Sequence, residues 1–114
     1  MFVKDLQEKI IKLKKEKDVC ILAHSYQARE ITEVADIVGD SFMLSKLAAQ
    51  QPNSTMLMCG VHFMAQTVKM LSPEKKVILA NPMATCPMAE QIDLSLGQAL
   101  RKKYPEHTIV AYIN

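Results

Sequence analysis

The sequence predicts an α/β fold, a three-layer α/β/α sandwich built on a four-stranded parallel sheet. Three observations predict it. Four short runs, VCILA (19–23), TMLM (55–58), KVILA (76–80) and TIVAYI (108–113), are apolar on both faces and too short for helices, as strands covered on each side by helices must be. The stretches between them carry apolar residues at steps of three and four. The composition, 49% hydrophobic and 23% charged over 114 residues, supports one packed core and excludes a disordered or collagen-like chain.

In chain order, Val3, Leu6, Ile10 and Leu13 line one side of an amphipathic helix with a lysine-rich outer face, and the first strand comes next at 19–23. Ile31, Val34, Ala35 and Val38 share a face of a second helix, with Gly39 placed to end it in a left-handed turn. Leu44, Leu47 and Ala48 mark the third helix, and TMLM is the second strand. Met64, Val68 and Leu71 mark the fourth helix, and KVILA is the third strand. Asp93 is placed to cap a last helix carrying Leu96, Ala99 and Leu100, and TIVAYI is the fourth strand. Pro52 and Pro73 punctuate loops. With right-handed crossovers these elements make one domain, 1–114, without a linker or a low-complexity segment.

The charge balance excludes several partners. Fourteen Lys and Arg against twelve Asp and Glu give +2, too little to imply nucleic acid or a membrane surface. No run of eighteen apolar residues is present to span a bilayer, and the opening MFVKDLQEKI lacks the apolar core of a secretory signal. Three cysteines, Cys20, Cys59 and Cys86, without a CxxC pair, fit a reducing cytoplasmic setting better than a disulfide framework.

Parallel sheets bind ligands beyond the carboxyl ends of their strands, so the residues just after each apolar run are the place to look for function. The first run leads to His24-Ser25-Tyr26-Gln27 and the second to Cys59-Gly60-Val61-His62. The third leads to Asn81-Pro82 and then Ala84-Thr85-Cys86-Pro87, and the fourth carries Tyr112 and Asn114. Four loops therefore deliver polar or reactive side chains to one rim. Cys20, inside an apolar run, reads as core, and Cys59 reads as packing. Cys86, in a polar loop with no apolar run around it, reads as a ligand or nucleophile. His62 reads as structural, and His107 lies at the opposite end of the sheet. Ser41, after Gly39-Asp40, sits where a helix begins, and the free N–H groups there suit a carboxylate or phosphate. The alternative is that Asp40 or Ser41 only caps that helix.

The segments ILAHSYQ (21–27), VADIVGDSFMLSK (34–46), CGVHFMAQTVKMLSPEKKVILAN (59–81), ATCPMAEQI (84–92) and VAYIN (110–114) together resemble the first domain of the quinolinate synthases. The resemblance runs from about Asp18 to Asn114. It departs from the family pattern at Ser25, where many relatives carry a second aromatic, and at Thr85-Cys86-Pro87, where Gly-Cys-Ser is common. The resemblance implies the first of three similar α/β/α domains around a central cavity. It implies an enzyme of de novo NAD biosynthesis that condenses iminoaspartate with dihydroxyacetone phosphate to quinolinate, phosphate and two waters, with a functional link to L-aspartate oxidase. It also implies a [4Fe–4S] cluster held by one cysteine from each domain, with Cys86 as the first-domain ligand. His24 and Ser41 match residues that hold a substrate carboxylate, Tyr26 matches a tyrosine placed for proton transfer with His24 beside it, and Tyr112 and Asn114 match further substrate contacts. One domain of three implies a fragment that neither holds an intact cluster nor turns over by itself.

Two readings compete without the resemblance. One is a zinc module using Cys59, Cys86 and a histidine. The other is a non-catalytic α/β domain binding a phosphorylated metabolite at Gly39–Ser41.

Overall fold

The computed structural model describes residues 2–111. The element order is α1 (Val3–Glu16), β1 (Val19–His24), α2 (Arg29–Thr32), β2 (Ile37–Gly39), α3 (Ser41–Ala49), β3 (Thr55–Cys59), α4 (His62–Leu71), β4 (Lys76–Leu79) and α5 (Leu94–Lys103). The strands form one parallel sheet in the order β2-β1-β3-β4. The fold class read from the sequence is therefore the one found.

That order fixes where the helices go. The chain steps one way from β1 to β2 and the other way through β3 to β4, so right-handed crossovers put α3 and α4 on one face and α2 on the other. On the α3/α4 face, Cys20, Leu22, Met56 and Met58 pack against Leu44, Ala48, Met64 and Val68, all buried. The opposite face is thinner. Ile10 and Leu13 of α1 lie over Val19, Ile21 and Leu57 around an apolar gap of about 210 Å³, and α1 itself buries no residue. Leu44 is fully buried between the sheet and α4. Leu44→Ala is expected to cost about 2–5 kcal/mol, read as a lowered midpoint in urea unfolding. A loss under ~1 kcal/mol would show that this core closes up around the gap.

Three elements differ from the sequence reading. The helix expected across Ile31–Val38 stops at Thr32. Asp36 turns the chain instead: its N–H donates to the Ile21 carbonyl (2.8 Å), and its carboxylate accepts the Ile21 N–H (2.8 Å) and the Lys14 ammonium (3.0 Å). These bonds align Ile37–Gly39 beside β1 as an edge strand, paired Leu22 with Ile37, Ala23 with Val38 and His24 with Gly39. Gly39 is accordingly not in a left-handed turn; no glycine here has positive φ, and the left-handed residue is Asp18 (φ 53°) at the α1–β1 junction. Asp tolerates that conformation better than most residues, and Asn53 also donates to its carboxylate (2.8 Å).

The third difference is the last strand. Residues 108–111 are in no strand, and Ile109 and Val110 are exposed. A strand exists only where a ladder partner is within reach, and α5 does not bring the chain there: none of its residues is buried. The expected start of α5 does hold, since the Asp93 carboxylate accepts the Leu96 N–H at 2.8 Å. Its apolar side, with Leu96 and Leu100 exposed, has no cover among the described residues.

Candidate active site

The strand order reverses between β1 and β3, and at such a switch point the adjoining loops part and leave a crevice at the carboxyl rim. His24 is the last residue of β1 and stands beside it. Strand alternation puts its side chain on the α3/α4 face, as for Leu22 and Cys20. It is only 6% exposed. The strand neighbour on one side is Gly39, and on the other Gly60 comes directly after β3.

Both glycines are there for space. A Cβ at Gly60 would sit 2.8 Å from the Met64 sulfur and 2.9 Å from the Met58 methyl, with the His24 Cβ at 3.9 Å; one at Gly39 would collide with the Met43 methyl. The histidine thus rests between two bare backbones, with thioether side chains filling in around it. Sequence reasoning misses this role for both glycines. The available signal is a glycine directly after an apolar strand run, which marks close approach.

The turn after β1 is held by main-chain bonds. Ser25 N–H donates to Gly39 O (3.0 Å), and Gln27 N–H donates to His24 O (2.9 Å). Tyr26 N–H donates to His24 Nδ1 at 3.1 Å. The two rings lie tilted with centroids 4.7 Å apart, and the Tyr26 side chain is 90% exposed. Its phenol projects from the rim.

Ser41 opens α3, two residues after the end of β2, the edge strand beside β1. The question of which residue caps that helix has an answer: Asp40 accepts the Met43 N–H at 2.8 Å. Ser41 is left with a different position. It is 1% exposed, and its Oγ has no hydrogen-bond partner. An unpaired buried hydroxyl costs about 1–3 kcal/mol. Ser72 Oγ, at the end of α4, is in the same state, so it is the place of Ser41 at the start of α3, after the carboxyl end of β2, that singles it out. Ser41→Ala is expected to raise the stability of the unliganded chain by about 1 kcal/mol or more, measured by thermal unfolding. A clear loss of stability would mean that the hydroxyl bonds within the fold.

Cys86 belongs to the same rim through a chain of contacts. The loop after β4 is tied to the start of α4 where His62 N–H donates to Ala84 O (2.9 Å), and Ala84 N–H donates back to Asn81 O (3.0 Å). Two residues on, the Cys86 carbonyl accepts the N–H groups of Ala89 (3.0 Å) and Glu90 (3.2 Å). The thiol is free and half-buried. The other two cysteines are harder to deprotonate than an ordinary thiol. Burial, with the nearby Asp36 carboxylate adding to it, pushes the Cys20 thiol up to about 11, and burial also raises Cys59. Thiolates ligate and thiols do not.

Among the described residues, no three His, Cys, Asp or Glu side chains gather into a set that could hold a metal ion. The zinc set of Cys59, Cys86 and a histidine is therefore not assembled. His62 has an exposed side chain and contributes its main chain. His107 packs edge-on against Tyr104 at 5.3 Å. Tyr112 and Asn114 lie outside the described residues. A cavity of about 590 Å³ opens at the amino end of the sheet near Lys14, Asp36 and Asn53, where Lys14 is paired with Asp36 and Asn53 with Asp18. It is a groove between α1 and the sheet.

A four-stranded parallel sheet whose strand order reverses between β1 and β3, with helices on both faces, is of the doubly wound α/β class. Sequence comparison gives the family. The model described as "Quinolinate synthetase A protein" matches residues 8–114, and the chain belongs to that family. It is 49% identical over 114 residues to a quinolinate synthase of Caldicellulosiruptor bescii, covering 100% of this chain and 38% of the relative. It is 48% identical over 110 residues to that of Clostridium acetobutylicum, 96% of this chain and 36% of the relative. With that of Aquifex aeolicus it shares 46% over 112 residues, 98% of this chain and 35% of the relative. The chain thus spans a little over a third of the length of these curated relatives.

Proposed function

We propose that the chain forms the first of three similar α/β domains of a quinolinate synthase, and that its carboxyl rim is one wall of the active site. The whole enzyme condenses iminoaspartate with dihydroxyacetone phosphate to give quinolinate, phosphate and two waters, in the cytoplasm and in functional link with L-aspartate oxidase. Among the described residues no helix is long and apolar enough to cross a membrane.

The observation that carries this reading is the Ser41 hydroxyl, buried without a partner at the first turn of α3. A substrate carboxylate entering there accepts the Ser41 O–H, a His24 N–H and the field of the helix start. That removes the unpaired hydroxyl and fixes one end of the substrate. The exposed Tyr26 phenol, against the imidazole, is placed to hand a proton to and from the bound substrate as the ketose phosphate isomerises and water leaves. The resemblance to the family assigns Tyr112 and Asn114 further contacts to the same ligand.

Cys86 suits a [4Fe–4S] cluster by its chemistry: a half-buried thiol in a loop clear of the core, where Cys20 is buried in the core and Cys59 is the last residue of β3. One thiolate does not hold a cluster, so the other two ligands come from outside this chain. When bound with one iron open, the cluster supplies Lewis acidity toward a substrate hydroxyl or nitrogen.

The test is substrate affinity in the complete protein. Ser41→Ala is expected to raise the KM for the dicarboxylate substrate by about tenfold, as for loss of one charge-assisted hydrogen bond, with kcat changed much less. An unchanged KM would return Ser41 to a purely structural place and remove the main support for this wall.

A further inference from the structure

The role of His24 turns on which ring nitrogen carries its proton. Nδ1 accepts the Tyr26 N–H at 3.1 Å. That amide cannot swing away, because the residues on either side of it are bonded through their own N–H groups, Ser25 to Gly39 and Gln27 to His24. The ring is nearly buried and has the Tyr26 ring against it. A neutral imidazole has one proton, and the nitrogen that accepts a hydrogen bond does not carry it.

We propose that the main-chain amide of Tyr26 is a positioning group that locks neutral His24 in the Nε2–H tautomer. The ring then offers the rim a hydrogen-bond donor for an oxygen anion, and Nε2 serves neither as a base nor as a metal ligand. The identity of that anion as a substrate carboxylate rests on the function proposed above; the tautomer does not. Tyr26 accordingly acts through two separate parts: its backbone sets the histidine, and its phenol stays free for proton transfer.

Histidine-selective ¹⁵N labelling of the 114-residue chain reads the tautomer by long-range ¹⁵N–¹H correlation in mildly alkaline buffer. His62→Gln and His107→Gln assign the remaining signal to His24. The expected result is a protonated Nε2 and a bare Nδ1 in the parent chain and in Tyr26→Phe. Tyr26→Pro, which has no N–H, is expected to weaken the preference by about fivefold, the worth of one net hydrogen bond. A protonated Nδ1 in the parent chain would overturn the proposal, as would an unaltered preference in a folded Tyr26→Pro chain. Should that variant fail to fold, the scalar coupling between the Tyr26 amide nitrogen and His24 Nδ1, read in the uniformly ¹⁵N-labelled parent chain, decides: its presence supports the lock, and its absence from resolved signals overturns it. All these readouts are taken without ligand, so a failure of the carboxylate reading, seen as unchanged KM in Ser41→Ala, is distinguishable from a failure of the tautomer.

Discussion

Cys86→Ser in the complete protein, purified without air, is expected to lose its iron almost entirely, from about four irons per chain to near none, and its turnover with it. Serine keeps the shape of the side chain but replaces a soft thiolate by a hydroxyl that stays protonated near neutral pH. The two other thiols of this chain are built into strands, Cys20 in β1 and Cys59 at the end of β3. Cys20 is 2% exposed among Leu22, Leu44 and Met56, with its thiol raised to about 11. Cys59 ends β3, and burial raises it as well. Cys20→Ala therefore serves as the control: it perturbs packing and leaves the iron in place. Iron and acid-labile sulfide assays, with the visible spectrum, make the comparison. A Cys86→Ser protein that keeps both iron and activity would take Cys86 out of the ligand set.

Tyr26→Phe carries the second large effect. The phenol oxygen is all that this change removes, and the side chain is 90% exposed, so stability should move by no more than about 0.5 kcal/mol. The His24–Tyr26 amide bond also survives, since it uses the main chain. The expected loss is therefore confined to proton transfer, about 10²–10⁴-fold in kcat, with KM within about threefold. Steady-state kinetics of the complete protein and thermal unfolding of the same samples separate the two quantities. Near-normal kcat would exclude the phenol from proton transfer; a matching collapse in stability would show that the ring packs in the assembled protein.

Much of this architecture is legible in the sequence because the physics behind it is local. VCILA, TMLM and KVILA are apolar on both faces and become β1, β3 and β4. Asp93 has the side chain a helix start needs and caps α5. The errors are non-local. Val34, Ala35 and Val38 do fit a helical face, yet Asp36 overrides it with three bonds to residues 15 to 22 positions away, which no period in the sequence reveals. Similarly, TIVAYI has strand composition, but over 108–111 no ladder partner is at hand.

The site divides in the same way. That His24 and Cys86 lie beyond apolar strand runs is plain from their positions, whereas Ser41 reads as following a helix until β2 is seen. The two functions open to Ser41, cap or ligand contact, separate only once Asp40 is seen to take the Met43 N–H and leave the serine unpaired. The space that Gly39 and Gly60 leave around His24 likewise depends on where Met43, Met58 and Met64 fall in three dimensions. Residue identity is readable from one dimension, and mutual placement is not.

The most direct measurement is an anaerobic crystal structure of the complete protein with a dicarboxylate analogue of the substrate. The rim described here requires one carboxylate within about 2.7–3.2 Å of both His24 Nε2 and Ser41 Oγ, with the Cys86 sulfur on iron in the same cavity. An analogue bound elsewhere, with the Ser41 hydroxyl still facing only protein and the Cys86 sulfur turned from the metal, would contradict it.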